Sequence, residues 1–228
     1  MYLTLVNKEH LVDNIWAFRF EPSEPVDWIP GQFMQVDLPH DNPDEEGTKR
    51  WFTVSSAPYE GFFQITTRVT NSTFKQALSK LPIGGRLTLL EKPHGDFLWE
   101  ETDKPIVFVA GGIGVTPFRS ILEQRHHEGK DLPVTLVYGG RTIESLPFRD
   151  DFNAWVQADP SFTVHYVVGD PLTADKINEL VPNLKQSLVY ISGPEPMVDA
   201  LGDQLKAIGL PEDQFKGDWF PNYTENNY

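Results

Sequence analysis

The sequence predicts two structural classes in one chain: a small closed antiparallel β-barrel over residues 1–104, and a doubly wound α/β domain over 105–228. Three observations predict it. Before residue 104, short segments alternate apolar and polar residues, as in Phe63-Gln64-Ile65-Thr66 and Val36-Asp37-Leu38. That period of two belongs to half-buried antiparallel strands. After residue 104 the apolar runs are continuous, as in strands of a parallel sheet covered on both faces. Between those runs lie stretches whose apolar residues recur at helical spacing.

Taken in order, the first half offers six strands: Tyr2–Val6, Ile15–Phe20, Gln32–Leu38, Trp51–Val54, Phe62–Val69 and Arg86–Leu90. One helix, Thr73–Lys80, interrupts them, and the acidic stretch His40–Lys49 reads as a surface loop. Trp99–Pro105 is a polar connector. The second half offers strands Ile106–Ala110, Val134–Tyr138, Thr163–Val168 and Leu188–Ser192. In the helix Pro117–Glu128, Phe118, Ile121, Leu122 and Arg125 share a face, and Gly129 follows as a C-terminal cap. In Pro196–Ile208 the same holds for Met197, Leu201, Leu205 and Ile208.

Composition removes several functions. The chain has 228 residues and no cysteine, which excludes disulfides, cysteine-ligated zinc, iron–sulfur clusters and a catalytic thiol. A net charge of −14 argues against nucleic acid as the main partner. The first residues lack a signal-peptide pattern, and the longest apolar stretch, Ile106 to Val115, is too short to span a bilayer. A cytoplasmic protein without a membrane span is expected.

Three segments carry chemistry. In VFVAGGIGVTPFRSIL (107–122) a buried strand runs into glycines, and Thr116-Pro117 offers an N-cap and a first helical residue. Glycines admit close backbone approach, and free N–H groups at a helix start attract anions, so this reads as a phosphate-binding turn. The bland alternative is an ordinary strand–helix turn. In RWFTVSSAP (50–58), Arg50 and Phe52 share a strand face. An arginine can grip a pyrophosphate and a ring can stack on a flat cofactor, although a core strand with one surface arginine explains the same pattern. In YISGPEPM (190–197) a strand end again meets glycine and a helix start, on the rim where open α/β sheets bind ligands.

Together these segments resemble the ferredoxin–NADP⁺ reductase-like flavoprotein family over nearly the whole chain. RWFTVSS is similar to its flavin motif, STFKQALSKLPIGG to the helix over the flavin pyrophosphate, and KPHGDF to its barrel-closing turn. GGIGVTP and SGPEPM resemble its nicotinamide-nucleotide turns, and KGDWFPNY the closing segment of short bacterial members. The resemblance implies a six-stranded Greek-key flavin-binding barrel and an NAD(P)-binding α/β domain. It implies that Arg50 binds the FAD pyrophosphate, that Phe52, flanked by Trp51, stacks on the isoalloxazine, and that Thr53 bonds near flavin N5. Val54, Ser55, Arg68 and Val69 would line the flavin, and Ser72, Thr73 and Phe74 its pyrophosphate or ring. Gly111, Gly112, Gly114, Val115 and Thr116 would cradle the nicotinamide nucleotide, with Gly193, Pro194 and Met197 on its other side. Ser192 stands where many relatives carry Cys, and Asp218 where many carry Glu. Phe220 or Tyr223, or neither, would shield the ring.

The implied activity is hydride transfer from NAD(P)H to FAD N5, with electrons passed to a separate acceptor such as ferredoxin, flavodoxin or a small molecule. Thr53, Ser192 and Asp218 would tune positioning and proton delivery. Two alternatives stand beside it: an NAD(P)H:flavin reductase releasing reduced free flavin, and an electron-transfer subunit of a larger complex. Arg141, or Arg149 if it points inward, offers a grip for a 2′-phosphate, whereas Glu144 and Asp150 suit a ribose diol. No metal site is expected: His126-His127 lacks a third ligand, and His94 reads as structural. Arg68, Lys75, Lys80 and Arg86 form a candidate basic docking patch.

Overall fold

The computed structural model describes residues 1–220, with the side chain of Phe220 left out. The residues after 220, Tyr223 among them, lie outside the described region.

The first sheet comprises β1 (Tyr2–Val12), β2 (Ile15–Pro22), β3 (Phe33–Asp37), β4 (Lys49–Thr53), β5 (Phe63–Arg68) and β6 (Arg86–His94), in the order β4-β3-β6-β1-β2-β5. Every pairing in it is antiparallel. Alternation does the folding: Leu3, Leu5, Phe18, Phe20, Met34, Val36, Phe63 and Ile65 all point into one core. Helix α1 (Thr73–Lys80) closes that core with Phe74 and Leu78. The expected six-stranded antiparallel barrel is present as one curled sheet. Its two edges meet where the Ser55 N–H, just past β4, bonds the Gln64 carbonyl of β5 (2.9 Å).

The second sheet comprises β7 (Ile106–Gly111), β8 (Val134–Gly140), β9 (Thr163–Val168), β10 (Leu188–Pro194) and β11 (Phe215–Phe220). It is parallel throughout, in the order β11-β10-β7-β8-β9. Its helices are α2 (Thr116–His127), α3 (Arg149–Ala158), α4 (Ala174–Leu180) and α5 (Glu195–Ala207). Val107, Val109, Val189 and Ile191 pack with Ile177, Val198, Leu201 and Leu205 of α4 and α5. On the other face Phe108 stacks on Phe118 of α2 (4.4 Å), and Tyr138 meets Phe152 of α3. Helices thus cover both faces, as the continuous apolar runs require.

Three elements are additions to the sequence reading. Helix α3 buries only Phe152 and Trp155, and α4 is a seven-residue helix whose Thr173 side chain caps the Lys176 N–H (3.2 Å). Strand β11 contains Lys216, Gly217 and Asp218, which mask its strand character.

The chain groups into two compact units, Met1–Trp99 with Arg119–Gln124, and Glu100–Phe118 with Arg125 onward. This differs from the expected break at 104. Arg119 and Ser120 bond the Ser55 and Ser56 carbonyls (3.1 and 2.7 Å), and Arg119 forks onto Glu60, so that stretch of α2 joins the first unit. Among the described residues no helix is long and apolar enough to cross a membrane, and no group of His, Cys, Asp or Glu is disposed to hold a metal.

Candidate functional site

In the first unit the polar centre is Arg50. Strand β4 directs its side chain inward, and it is 9% exposed. Its guanidinium lies over the Phe74 ring (5.3 Å). Nη1 donates to the carbonyls of Glu46 (2.9 Å), Gly47 (3.0 Å) and Lys49 (2.8 Å). Nη2 donates to Asp44 Oδ1 (2.8 Å) and Ser72 Oγ (3.4 Å), and Nε pairs with Glu46 Oε2 (2.9 Å). Six acceptors therefore surround a group with five N–H donors. Asp44 also accepts the Thr73 N–H (3.0 Å) at the start of α1 and donates its own N–H to Thr73 Oγ1 (2.9 Å). His40 Nε2 reaches the same hydroxyl (3.0 Å). Partial burial alone would raise the Asp44 carboxyl, but the Thr73 N–H, the Arg50 bond and the Thr73 hydroxyl outweigh it, and its pKa is lowered. The stretch His40–Lys49, read from sequence as a surface loop, is thus wired to Arg50 and α1.

Around this corner, Phe52 is 5% exposed and tilts against Phe74 (5.8 Å), while Trp51 points to the opposite side, where it meets Phe33 and His94 edge-on. Thr53 and Val54 are buried. Ser55 Oγ shares a hydrogen bond with Thr66 Oγ1 (2.7 Å) and donates to the Gln64 carbonyl (3.0 Å). The Gln64 amide reaches both hydroxyls (3.3 Å each) and accepts from Arg19 Nε (3.0 Å). Arg68 and Val69 turn to Asn14, through Nη1 to Oδ1 (2.5 Å) and the Val69 N–H to the Asn14 carbonyl (2.8 Å). Lys75 is buried, and burial pushes its ammonium down to about 8, against Glu46, which raises it. It is therefore not part of a surface patch, and the basic group expected from Arg68, Lys75, Lys80 and Arg86 loses that member.

In the second unit the strand order reverses between β7 and β10, and the carboxyl ends there are bare. Gly111 pairs with Gly139 on one side, and a Cβ on Gly193 would lie 3.5 Å from the Gly111 Cα on the other. Three adjacent strands therefore end in a row without side chains. The Met197 tip lies over Gly111 and Gly193, and the Leu172 tip over Gly139. Pro194 Cδ flanks the Gly111 position at 3.4 Å from a Cβ built there. Gly112, with φ of 50°, opens a 3₁₀ turn through Val115 that runs straight into α2. Thr116 is accordingly the first helical residue and not the N-cap expected from sequence, and it is buried like Gly114 and Val115. The Tyr138 hydroxyl donates to the Gly112 and Pro147 carbonyls (3.1 and 3.3 Å). Ser192 Oγ donates to Asp218 Oδ2 (3.2 Å), because Ser192 and Asp218 are in register on β10 and β11. Phe220 ends β11 opposite Pro194. Arg141 is exposed and makes no ion pair or hydrogen bond among the described residues, whereas Arg149 donates to the Ile143 carbonyl (3.1 Å) and pairs with Asp150 (3.7 Å).

Sequence reasoning missed Asp44, Glu46, His40, Gln64, Thr66 and Tyr138. An acidic run ending four residues before a strand arginine was the signal available for the first two.

Residues 108–203 match the family described as oxidoreductase NAD-binding domain. The chain is 29% identical over 241 residues to the propane 2-monooxygenase reductase component of Rhodococcus jostii, covering 93% of this chain and 61% of that protein. It is 24% identical over 230 residues to flavohemoprotein A of Dictyostelium discoideum, covering 92% and 58%. Among solved structures, the FAD/NAD-binding domain of nitric oxide dioxygenase from Vibrio cholerae superposes with TM-score 0.82 at 20% identity, over 96% of this chain and 98% of that one. A ferredoxin–NADP⁺ reductase from Neisseria gonorrhoeae gives TM-score 0.78 at 20% identity, over 96% and 97%. The chain has the fold of these two structures. The chain spans about three fifths of the length of the two curated relatives named above.

The residues of the second sheet fit a nicotinamide nucleotide. Its rim is a glycine row beneath the flexible tip of Met197, which can yield to a ligand. In the first unit Phe52 and Phe74 pack against each other within the core, beside Arg50. The donors of Arg50, in contrast, are already taken by the chain's own acceptors.

Proposed function

We propose that the chain is a flavin-dependent NAD(P)H oxidoreductase that takes hydride from NAD(P)H onto FAD and passes electrons to a separate acceptor. The observation that carries this reading is the glycine row Gly139–Gly111–Gly193 at the strand-order reversal of a parallel sheet. When bound, the flavin supplies hydride acceptance at N5 and stepwise release of electrons.

The chain's residues supply the rest. Gly111, Gly112 and Gly114 admit the dinucleotide backbone, Tyr138 fixes the Gly112 turn, and Pro194 and Met197 close over it. Ser192 and Asp218 hold a proton-bearing pair at the carboxyl rim, and Thr53 places a hydroxyl on β4 beside Phe52. Anaerobic mixing with NADH and then NADPH, followed by a panel of protein and small-molecule acceptors, tests the activity. Unchanged flavin absorbance with both nucleotides removes it.

Relatives described as a propane 2-monooxygenase reductase component and a toluate 1,2-dioxygenase electron transfer component support a protein acceptor. A cytoplasmic location follows from that reading. Arg141, exposed and uncommitted, is the proposed contact for a 2′-phosphate. Arg141→Ala is expected to lower kcat/KM for NADPH about tenfold and leave NADH unchanged, the worth of one charge-assisted bond.

A second reading, exchangeable flavin reduced and released, is favoured by the occupied donors of Arg50. Flavin retention through gel filtration separates the two.

A further inference from the structure

We propose that Asp44 is a carboxylate latch on the phosphate-holding corner of the first unit, so that flavins carrying a phosphate bind only by displacing it. This rests on the reading of Arg50 as the holder of the flavin phosphates.

Two donors from different elements converge on the one carboxylate. Arg50 Nη2 reaches Asp44 Oδ1 at 2.8 Å, and the Thr73 N–H reaches Oδ2 at 3.0 Å. A guanidinium edge and a backbone N–H at the start of a helix are the donors that a phosphate oxygen also seeks. Asp44 therefore stands where such an oxyanion would stand. Ser72, at the cap position of α1, makes no side-chain capping bond, and Asp44 serves the helix start in its place. Glu46 adds a second carboxylate on Nε, and three carbonyls of the same loop occupy Nη1.

The latch is built to be released. The Asp44 and Glu46 side chains are 30% and 47% exposed, although Arg50 itself is buried. Both lie between β3 and β4 outside any helix or strand. Releasing the loop frees two convergent donors without moving β4 or α1. A phosphate with two negative charges can outcompete one carboxylate, but its affinity is reduced by the cost of lifting the loop. Riboflavin, which carries no phosphate to place between those donors, bears none of that cost.

Equilibrium binding of FAD, FMN and riboflavin to the full chain, read by flavin fluorescence, tests this. Asp44→Asn keeps an acceptor for α1 and removes the charge. It is expected to tighten FAD and FMN about tenfold while riboflavin stays within about twofold. Glu46→Gln leaves the α1 contacts intact and is expected to act in the same direction, which covers the case of an unstable Asp44 variant. Phosphate-bearing flavins that bind no tighter to either variant, with riboflavin still bound, overturn the latch and leave the proposed function standing. Absence of binding by all three flavins overturns both.

Discussion

Arg50 and Lys75 show how burial decides what a cation does in this chain. Around buried Arg50, oxygens of the chain match its N–H groups. Lys75, on α1, is squeezed towards neutrality, its pKa lowered to about 8 chiefly by burial. The folded state then binds fewer protons than the unfolded chain between about pH 8 and 10.5, so this group's contribution to stability rises with pH through that window. Urea unfolding at pH 7.5 and 9.5 is expected to register a gain of about 2 kcal/mol from Lys75, and Lys75→Met is expected to flatten it. Asp44 gives a slope of the same sign at lower pH, with a charged form that stabilises the fold. Its carboxyl lies below its ordinary value of 3.8, so its stabilising contribution is complete above that value and is lost as pH falls through the lower, folded one. Acid unfolding followed below pH 4 is expected to begin at higher pH in Asp44→Asn. The arginine was legible from sequence as a strand cation. Its partners were not, because a loop's backbone carbonyls leave no mark in residue type.

At the scale of elements, turns carry the exacting constraints. Gly31 has φ of 98°, and a Cβ there would lie 2.1 Å from the Phe97 carbonyl oxygen, a backbone atom that cannot swing aside. Gly31→Ala is expected to destabilise the first unit by about 2–4 kcal/mol in thermal or urea unfolding. In the second unit the Tyr138 hydroxyl ties the Gly112 turn to the segment before α3. Tyr138→Phe strips two buried carbonyls of that donor. It is expected to cost about 1–2 kcal/mol and to raise KM for the nucleotide more than it lowers kcat. Most strands and the helices α1, α2 and α5 were readable because their apolar residues keep strict period. Helix α1 fell on the expected residues, Thr73–Lys80. The harder elements break that rule for physical reasons. In α3 Phe148, in the left-handed region, starts a mostly polar helix, and in β11 a glycine and two charges sit on an edge strand with one neighbour. The start of α2 misled because Thr-Pro is a capping pair in general, and here a 3₁₀ turn arrives first.

At the scale of the whole molecule the charge is spread rather than divided. Residues through Lys104 hold 10 basic and 16 acidic side chains, and the remainder hold 9 and 17. With neither half basic, and with Lys75 withdrawn into the interior, long-range attraction to an acidic electron carrier is absent from the net charge. The association rate with such a carrier is expected to stay level or rise as salt increases, in stopped-flow mixing; a steep fall contradicts this. The absence of cysteine has a similar reach. It leaves a hydroxyl, that of Ser192, bonded to Asp218 at the carboxyl end of β10.

Strand β11 has a further consequence, for anyone who shortens this chain. Among the described residues it is the outermost strand of its sheet and the one strand paired to that side of β10, whose seven residues are all buried. A cut before Phe215 would turn that apolar strand into an open template able to recruit another chain. It would also strip Ser192 of its carboxylate partner. Solubility and activity would then fail together, and the first loss would be mistaken for the cause of the second. Cutting after Phe220 keeps the edge sealed, so a pair of truncations bracketing this strand would separate packing from chemistry.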